Sequence, residues 1–144
     1  MNAQHGYDIE DLEVGMTASL SKTITDADIV LFSAVSTDTN AVHLNEEFAK
    51  TTMFGGRIAH GMLSAGLISA VLGNRLPGPG TIYLGQTLKF KAPVRPGDTV
   101  TATATIKEVN VAKKRAIVET ICTVAGKVVI EGEATMMCTS KDAA

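Results

Sequence analysis

The stretch Ala59-His60-Gly61-Met62-Leu63-Ser64-Ala65-Gly66-Leu67-Ile68-Ser69-Ala70-Val71-Leu72-Gly73-Asn74-Arg75-Leu76, closed by Pro77-Gly78-Pro79-Gly80, decides the fold. It predicts a helix over 59–76, roughly 25 Å long at 1.5 Å per residue. Met62, Leu63, Ala65, Leu67, Ile68, Ala70, Val71 and Leu72 fall on all its sides. A helix apolar all round is expected to be buried all round. Pro77 ends it, because proline has no amide hydrogen and its ring clashes with the preceding turn.

The next segments supply what encloses that helix. After Gly80 the apolar period switches from 3.6 to 2. Ile82, Leu84, Leu88, Phe90 and Ala92 alternate with Tyr83, Gly85, Thr87, Lys89 and Lys91, which predicts one half-buried strand. Pro96-Gly97-Asp98 makes a turn, and Val100, Ala102, Ala104 and Ile106 then alternate with threonines in a second strand. Residues 115–124 and 128–137 are a third and fourth, joined by a hairpin at Ala125-Gly126-Lys127. Met16–Ile24 supplies a fifth. Short connections require antiparallel pairing. Helices and strands that segregate along the chain imply an α+β domain, with a five-stranded antiparallel sheet wrapped around a long buried helix. Residues 1–144 read as a single domain in which 1–10 form a loose N-terminal tail; His5, within it, is given no role.

Between the first strand and the long helix lies turn chemistry. Thr25 with Asp26 and Asp28 reads as a helix start, a hydroxyl cap followed by acids at the positive end of the dipole. Ile29, Leu31, Phe32 and Val35 form its apolar side, and it ends near Ser36. Thr37-Asp38-Thr39-Asn40 is a turn. Asn45 is placed to cap a short helix over 46–50.

Composition bounds the function. The 144 residues carry thirteen basic and fifteen acidic side chains, a formal charge of −2. That balance excludes an electrostatic partnership with nucleic acid, which needs basic patches. Apolar residues are 45% but aromatics only 4%, so the core is aliphatic. Mean hydropathy of +0.18 suggests surface covered by a partner subunit. No apolar run reaches the ~18 residues of a membrane span. The first ten residues lack an export pattern, and a cytoplasmic location is expected. Cys122 and Cys138 are too few for a disulfide framework and lack metal-ligand spacing.

Three features bear on chemistry. Asp38 and His43 lie five residues apart around a turn, so both can meet one small molecule. Histidine transfers protons near neutral pH, and aspartate can share or hold one. Gly61 sits at the start of the long helix, where the first amides are unpaired donors and the absent side chain lets an oxygen approach. Ser69 is a hydroxyl in an apolar stripe, eight residues beyond Gly61.

Taken together, Asp38-x4-His43, Ala59-His60-Gly61-Met62, Tyr83-Leu84-Gly85-Gln86 and Pro93-Val94-Arg95-Pro96-Gly97-Asp98 make the sequence resemble the MaoC-like (R)-specific enoyl-CoA hydratases, from about Val14 to Met137. The resemblance implies a hot-dog fold, a homodimer, and hydration of trans-2-enoyl-CoA to (R)-3-hydroxyacyl-CoA, without metal or other cofactor. It further implies that Asp38 and His43 hold and activate the water and that the Gly61 amide polarises the thioester carbonyl. Ser69 matches a position that supports the aspartate. The chain departs from the family where Asn-Pro is common: here Asn40-Ala41 stands, which loosens the turn and removes no functional group.

Asn40, His60 and Met62, beside these residues, are candidate substrate contacts. Leu72 and Thr135 are candidates for the lining of an acyl tunnel, and Arg57, Lys89, Lys91 and Arg95 for partners of CoA phosphates. An acyl-carrier-protein or branched dicarboxylic acyl-CoA substrate remains open on these residues. A thioesterase is disfavoured, since Met62–Leu72 holds no Asp or Glu. Gly78-x-Gly80 is not a phosphate loop, because a strand follows it.

Overall fold

A computed structural model describes residues 5–142. The chain runs β1 (Thr17–Thr23), α1 (Asp26–Ser36), α2 (Ala41–Leu44), α3 (Glu46–Ala49), α4 (Gly61–Asn74), β2 (Ile82–Gln86), β3 (Lys89–Phe90), β4 (Thr99–Asn110), β5 (Arg115–Val124) and β6 (Lys127–Met137). The strands form one antiparallel sheet in the order β1-β4-β5-β6-β2, with β3 also on β6. This is the α+β hot-dog arrangement, with α4 across the concave face. None of the described helices is long and apolar enough to cross a membrane.

Strict alternation makes the sheet's inner face. Val100, Ala102, Ala104 and Ile106 on β4, Ala116, Val118 and Cys122 on β5, and Ala134 and Met136 on β6 are all buried. They meet Leu63, Ile68, Val71 and Leu72 of α4. The threonines between them on β4 face outward, where Thr101 and Thr105 bond to Ser21 and Thr17 of β1. The β5–β6 hairpin turns on Ala125 and Gly126, both at positive φ (50° and 81°), as a two-residue loop matched to strand twist requires.

Several expectations need correction. The sheet has six strands, because the single strand expected over 82–92 breaks into β2 and β3. Thr87 turns its carbonyl onto Gly132 of β6, so closely that a β-carbon there would lie 1.9 Å away. Nor does its apolar set face the core throughout: Leu88 and Ala92 pack against the core, whereas Ile82, Leu84 and Phe90 are exposed in the single chain. Helix α4 is shorter than expected, starting at Gly61 and ending at Asn74. It is also not buried on every side, since Met62 is 54% exposed and Gly66 and Ser69 share its open face.

A further correction concerns the N-terminus. Residues 1–4 lie outside the described residues, but 5–10 are held. Gly6 and Tyr7 donate to the carbonyls of Pro79 and Pro77, and Ile9 is fully buried. The Asp8 carboxylate accepts from Thr139 Oγ1 at 2.6 Å and lies 3.0 Å from His5 Nε2. The hydroxyl and imidazole hold that carboxyl below its ordinary range.

Both cysteines are buried and free. Burial pushes the Cys122 thiol up to about 11, and raises that of Cys138. The thiolate is the reactive form, so a raised value suppresses it. Alkylation of folded protein at about pH 8 should be more than ~100-fold slower at Cys122 than in denaturant, by mass spectrometry of timed iodoacetamide samples. Equal rates would contradict the burial.

Candidate active site

The Asp38 loop begins with a well-made helix. Thr25 caps α1 by accepting from the Asp28 amide, while Asp28 accepts from the Thr25 amide, a complete capping box. At the other end Thr37 takes φ 65°, a left-handed conformation that costs a β-branched residue free energy. That reversal turns the chain off the helix axis immediately before Asp38. The Asp38 amide then donates to Ser36 Oγ (3.1 Å), and its Oδ1 accepts from the Asn40 amide (3.3 Å).

Asn40 then starts α2. Its side-chain oxygen accepts from the Val42 amide at 3.1 Å, and Ala41 takes the first helical position, the place where proline is preorganised. His43 lies on this one-turn helix, buried, with Nδ1 2.8 Å from the Ile58 carbonyl. A carbonyl only accepts, so Nδ1 carries hydrogen and the neutral ring keeps its lone pair on Nε2. Arg57 locks the helix from behind. Its Nε donates to the His43 carbonyl (2.7 Å) and its guanidinium pairs with Asp26 at 2.6 Å.

His43 Nε2 faces Asp38 Oδ2 at 4.0 Å. That is too long for a direct hydrogen bond. It is the span of two hydrogen bonds of about 2.8 Å meeting on one water oxygen at roughly a right angle. The imidazole is buried while the carboxylate is half exposed, so the pair sits at a mouth. Beneath it opens a cavity of about 500 Å³, walled by Met53, Phe54, Ile58, Met62, Phe90, Val94 and Ile130. Gly61 brings the N-terminus of α4 to the same cavity. The Phe90 ring covers Gly61 so closely that a β-carbon would lie 2.4 Å from its Cε1. Lys91 also lines the cavity, with Nζ 3.8 Å from Glu131.

Asp38, His43, His60, Gly61 and Met62 are thus brought together. Asn40 serves the site by capping α2 and holding Asp38. Ser69 is exposed on the open face of α4 and does not line the cavity. Leu72 has no exposed surface and packs in the core. Thr135 shares its strand parity with Glu131 and Glu133, so it faces the outer side of the sheet. Of the four candidate cations, Arg57 is committed to Asp26, and Arg95 to the Phe54 carbonyl (2.5 Å). Sequence reading missed Ser64, a fully buried hydroxyl on the cavity wall with no hydrogen-bond partner among the described residues. It also missed the stacking of His43 on His60, whose ring centroids lie 3.8 Å apart.

Asp38, His43 and His60 offer donor atoms within 4.8 Å of one another. Their arrangement suits a metal poorly. The two rings stack nearly face to face, so their lone pairs run side by side rather than converging, and His43 Nδ1 is engaged with a carbonyl.

Residues 11–132 match the family model described as the MaoC like domain. The chain belongs to this family. Among MaoC-like proteins it is 65% identical over 128 residues to an (R)-specific enoyl-CoA hydratase of Rhodospirillum rubrum, covering 89% of each. It is 50% identical to a 3-hydroxybutyryl-CoA dehydratase of Methylorubrum extorquens, over 94% of this chain and 86% of that one. Its fold superimposes on the solved structure of an (R)-hydratase of A. caviae involved in PHA biosynthesis, with a TM-score of 0.87 and 44% identity over 90% of this chain and 98% of the other.

The Gly61–Phe90 contact is testable by itself. Gly61→Ala should cost about 1 kcal/mol in urea unfolding, because the ring must move. In a Phe90→Ala background the same change should cost nothing or stabilise, since alanine is the better helix former. Equal costs in both backgrounds would show that the ring does not impose the glycine.

Proposed function

We propose that this protein is an (R)-specific enoyl-CoA hydratase, a hydro-lyase adding water to trans-2-enoyl-CoA to give (R)-3-hydroxyacyl-CoA. The observation that carries this reading is the 4.0 Å span between His43 Nε2 and Asp38 Oδ2 at the mouth of an apolar cavity that also holds the N-terminus of α4. Water held there donates one hydrogen to each group, which leaves an oxygen lone pair for carbon C3. The acyl chain occupies the apolar wall, and the thioester oxygen takes the Gly61 amide.

As the C3–O bond forms, the C2=C3 electrons shift toward the thioester oxygen and one water proton passes to the dyad. The enolate then collapses, and C2 takes a proton from the same side, so hydrogen and hydroxyl add syn. A helix N-terminus stabilises the enolate oxygen more than the neutral carbonyl, and only such a difference lowers the barrier. One donor of this kind contributes about 2.7–4 kcal/mol in comparable sites. The relatives named for hydration and for dehydration describe one reaction read in two directions. The named role of the A. caviae protein supports a place in the supply of polyhydroxyalkanoate precursors or in fatty-acid metabolism. A cytoplasmic location fits two free thiols.

Purified protein should consume crotonyl-CoA, followed by loss of the conjugated thioester absorbance, and chiral chromatography should find the (R) product. Asp38→Asn and His43→Gln should each lower kcat about 10²–10⁴-fold while circular dichroism shows both variants folded. Full activity in either variant would overturn the dyad.

The same reading includes a homodimer. The two sheet edges differ: β1 presents Ser19, Ser21, Lys22 and Thr23, whereas β2 presents Ile82, Tyr83 and Leu84. Polar side chains protect an edge from further pairing and apolar ones do not. The open face of α4 adds Met62, Gly66 and Ser69. Light scattering after gel filtration should give about twice the chain mass of 15.1 kDa, and Leu84→Lys should shift it toward one. A monomeric wild type would refute this part.

A further inference from the structure

We propose that His60 is a positioning residue for the dyad: with a hydrogen on Nε2, it fixes the main chain of Asp38 and supports the ring of His43. The inference rests on the hydratase reading for its kinetic test, but not for its geometry.

His60 is 3% exposed, so substrate reaches little of it. It precedes α4, yet its side chain makes no cap on that helix. Its Nε2 points back to the loop instead, 2.9 Å from the Asp38 carbonyl and 3.1 Å from Ser33 Oγ. The carbonyl accepts only, so the hydrogen is on Nε2. Nδ1 is buried with no hydrogen-bond partner among the described residues. The ring touches His43 at 3.8 Å and Phe32 at 4.8 Å between centroids. The donor thus sets where Asp38 stands, and the stacked ring holds His43 against it.

Two measurements test this. In long-range ¹H–¹⁵N spectra of the wild type taken where the ring carries one hydrogen, His60 should show that hydrogen on Nε2. A protonated Nδ1 overturns the proposal, whatever the enzyme turns over. In kinetics on crotonyl-CoA, His60→Phe keeps a ring but loses the donor, and kcat should fall at least about 30-fold with KM within about threefold. His60→Gln places an amide donor near the Nε2 position, and should restore kcat to within about fivefold of wild type. Phe at wild-type kcat, or Gln no better than Phe, overturns it. If His60→Phe fails to fold, Gln against Asn, whose shorter amide does not reach the Asp38 carbonyl, gives the same contrast. An inactive wild type with the expected tautomer would count against the hydratase reading alone.

Discussion

Everything in this molecule depends on how closely α4 lies on its sheet. The floor beneath it is small, with Ala102, Ala104, Ala116 and Ala134 at buried positions, and the helix answers with Leu63, Ile68, Val71 and Leu72. A chain with no tryptophan and four phenylalanines can build such a contact because no bulky ring holds the layers apart. Dense packing of this kind resists displacement. The N-terminus of α4 is therefore a fixed point, and the Asp38 loop and the Phe90 wall are placed against it.

The segment 25–60 uses that fixed point through main-chain partners. Asp38 is oriented by the Asn40 amide, His43 by the Ile58 carbonyl, and the Asp38 carbonyl by His60. Arg57 joins α2 to α1 through Asp26. Loops carry chemistry well when a rigid scaffold positions them, and here each end of the loop is tied to the scaffold by a different residue.

Much of this was legible in the sequence, for local physical reasons. Alternation over Val100–Ile106 reports directly which face meets the core, and Thr25 with Asp28 encodes the cap of α1 without reference to anything distant. Asp38, His43 and Gly61 were legible one by one, because turn chemistry and a helix start are local signals; the resemblance to a known family is what joined them into one site. Other features depend on partners far along the chain. The break between β2 and β3 follows from Gly132, some 45 residues later, and the open face of α4 follows from what the sheet fails to cover. His60 looked like a substrate contact beside Gly61. Only its 2.9 Å approach to a carbonyl 22 residues earlier shows a different use. Leu72 and Thr135 looked like tunnel lining because apolar and half-polar positions near a helix or strand end carry no mark of which side they face.

The manner in which the dyad is held also explains why Ala41 suffices where proline is common. Proline would restrict φ at the first residue of α2 before folding, an effect on the unfolded chain. It would add no contact to His43. The orientation of His43 comes from Nδ1 on the Ile58 carbonyl, from Arg57 and from the ring of His60, and none of these involves the side chain at 41. The Asn40 side chain still caps the turn at 3.1 Å. Loss of the ring therefore falls on the ordering entropy of one residue, while the 4.0 Å span across which water would be held is set by residues that are all present.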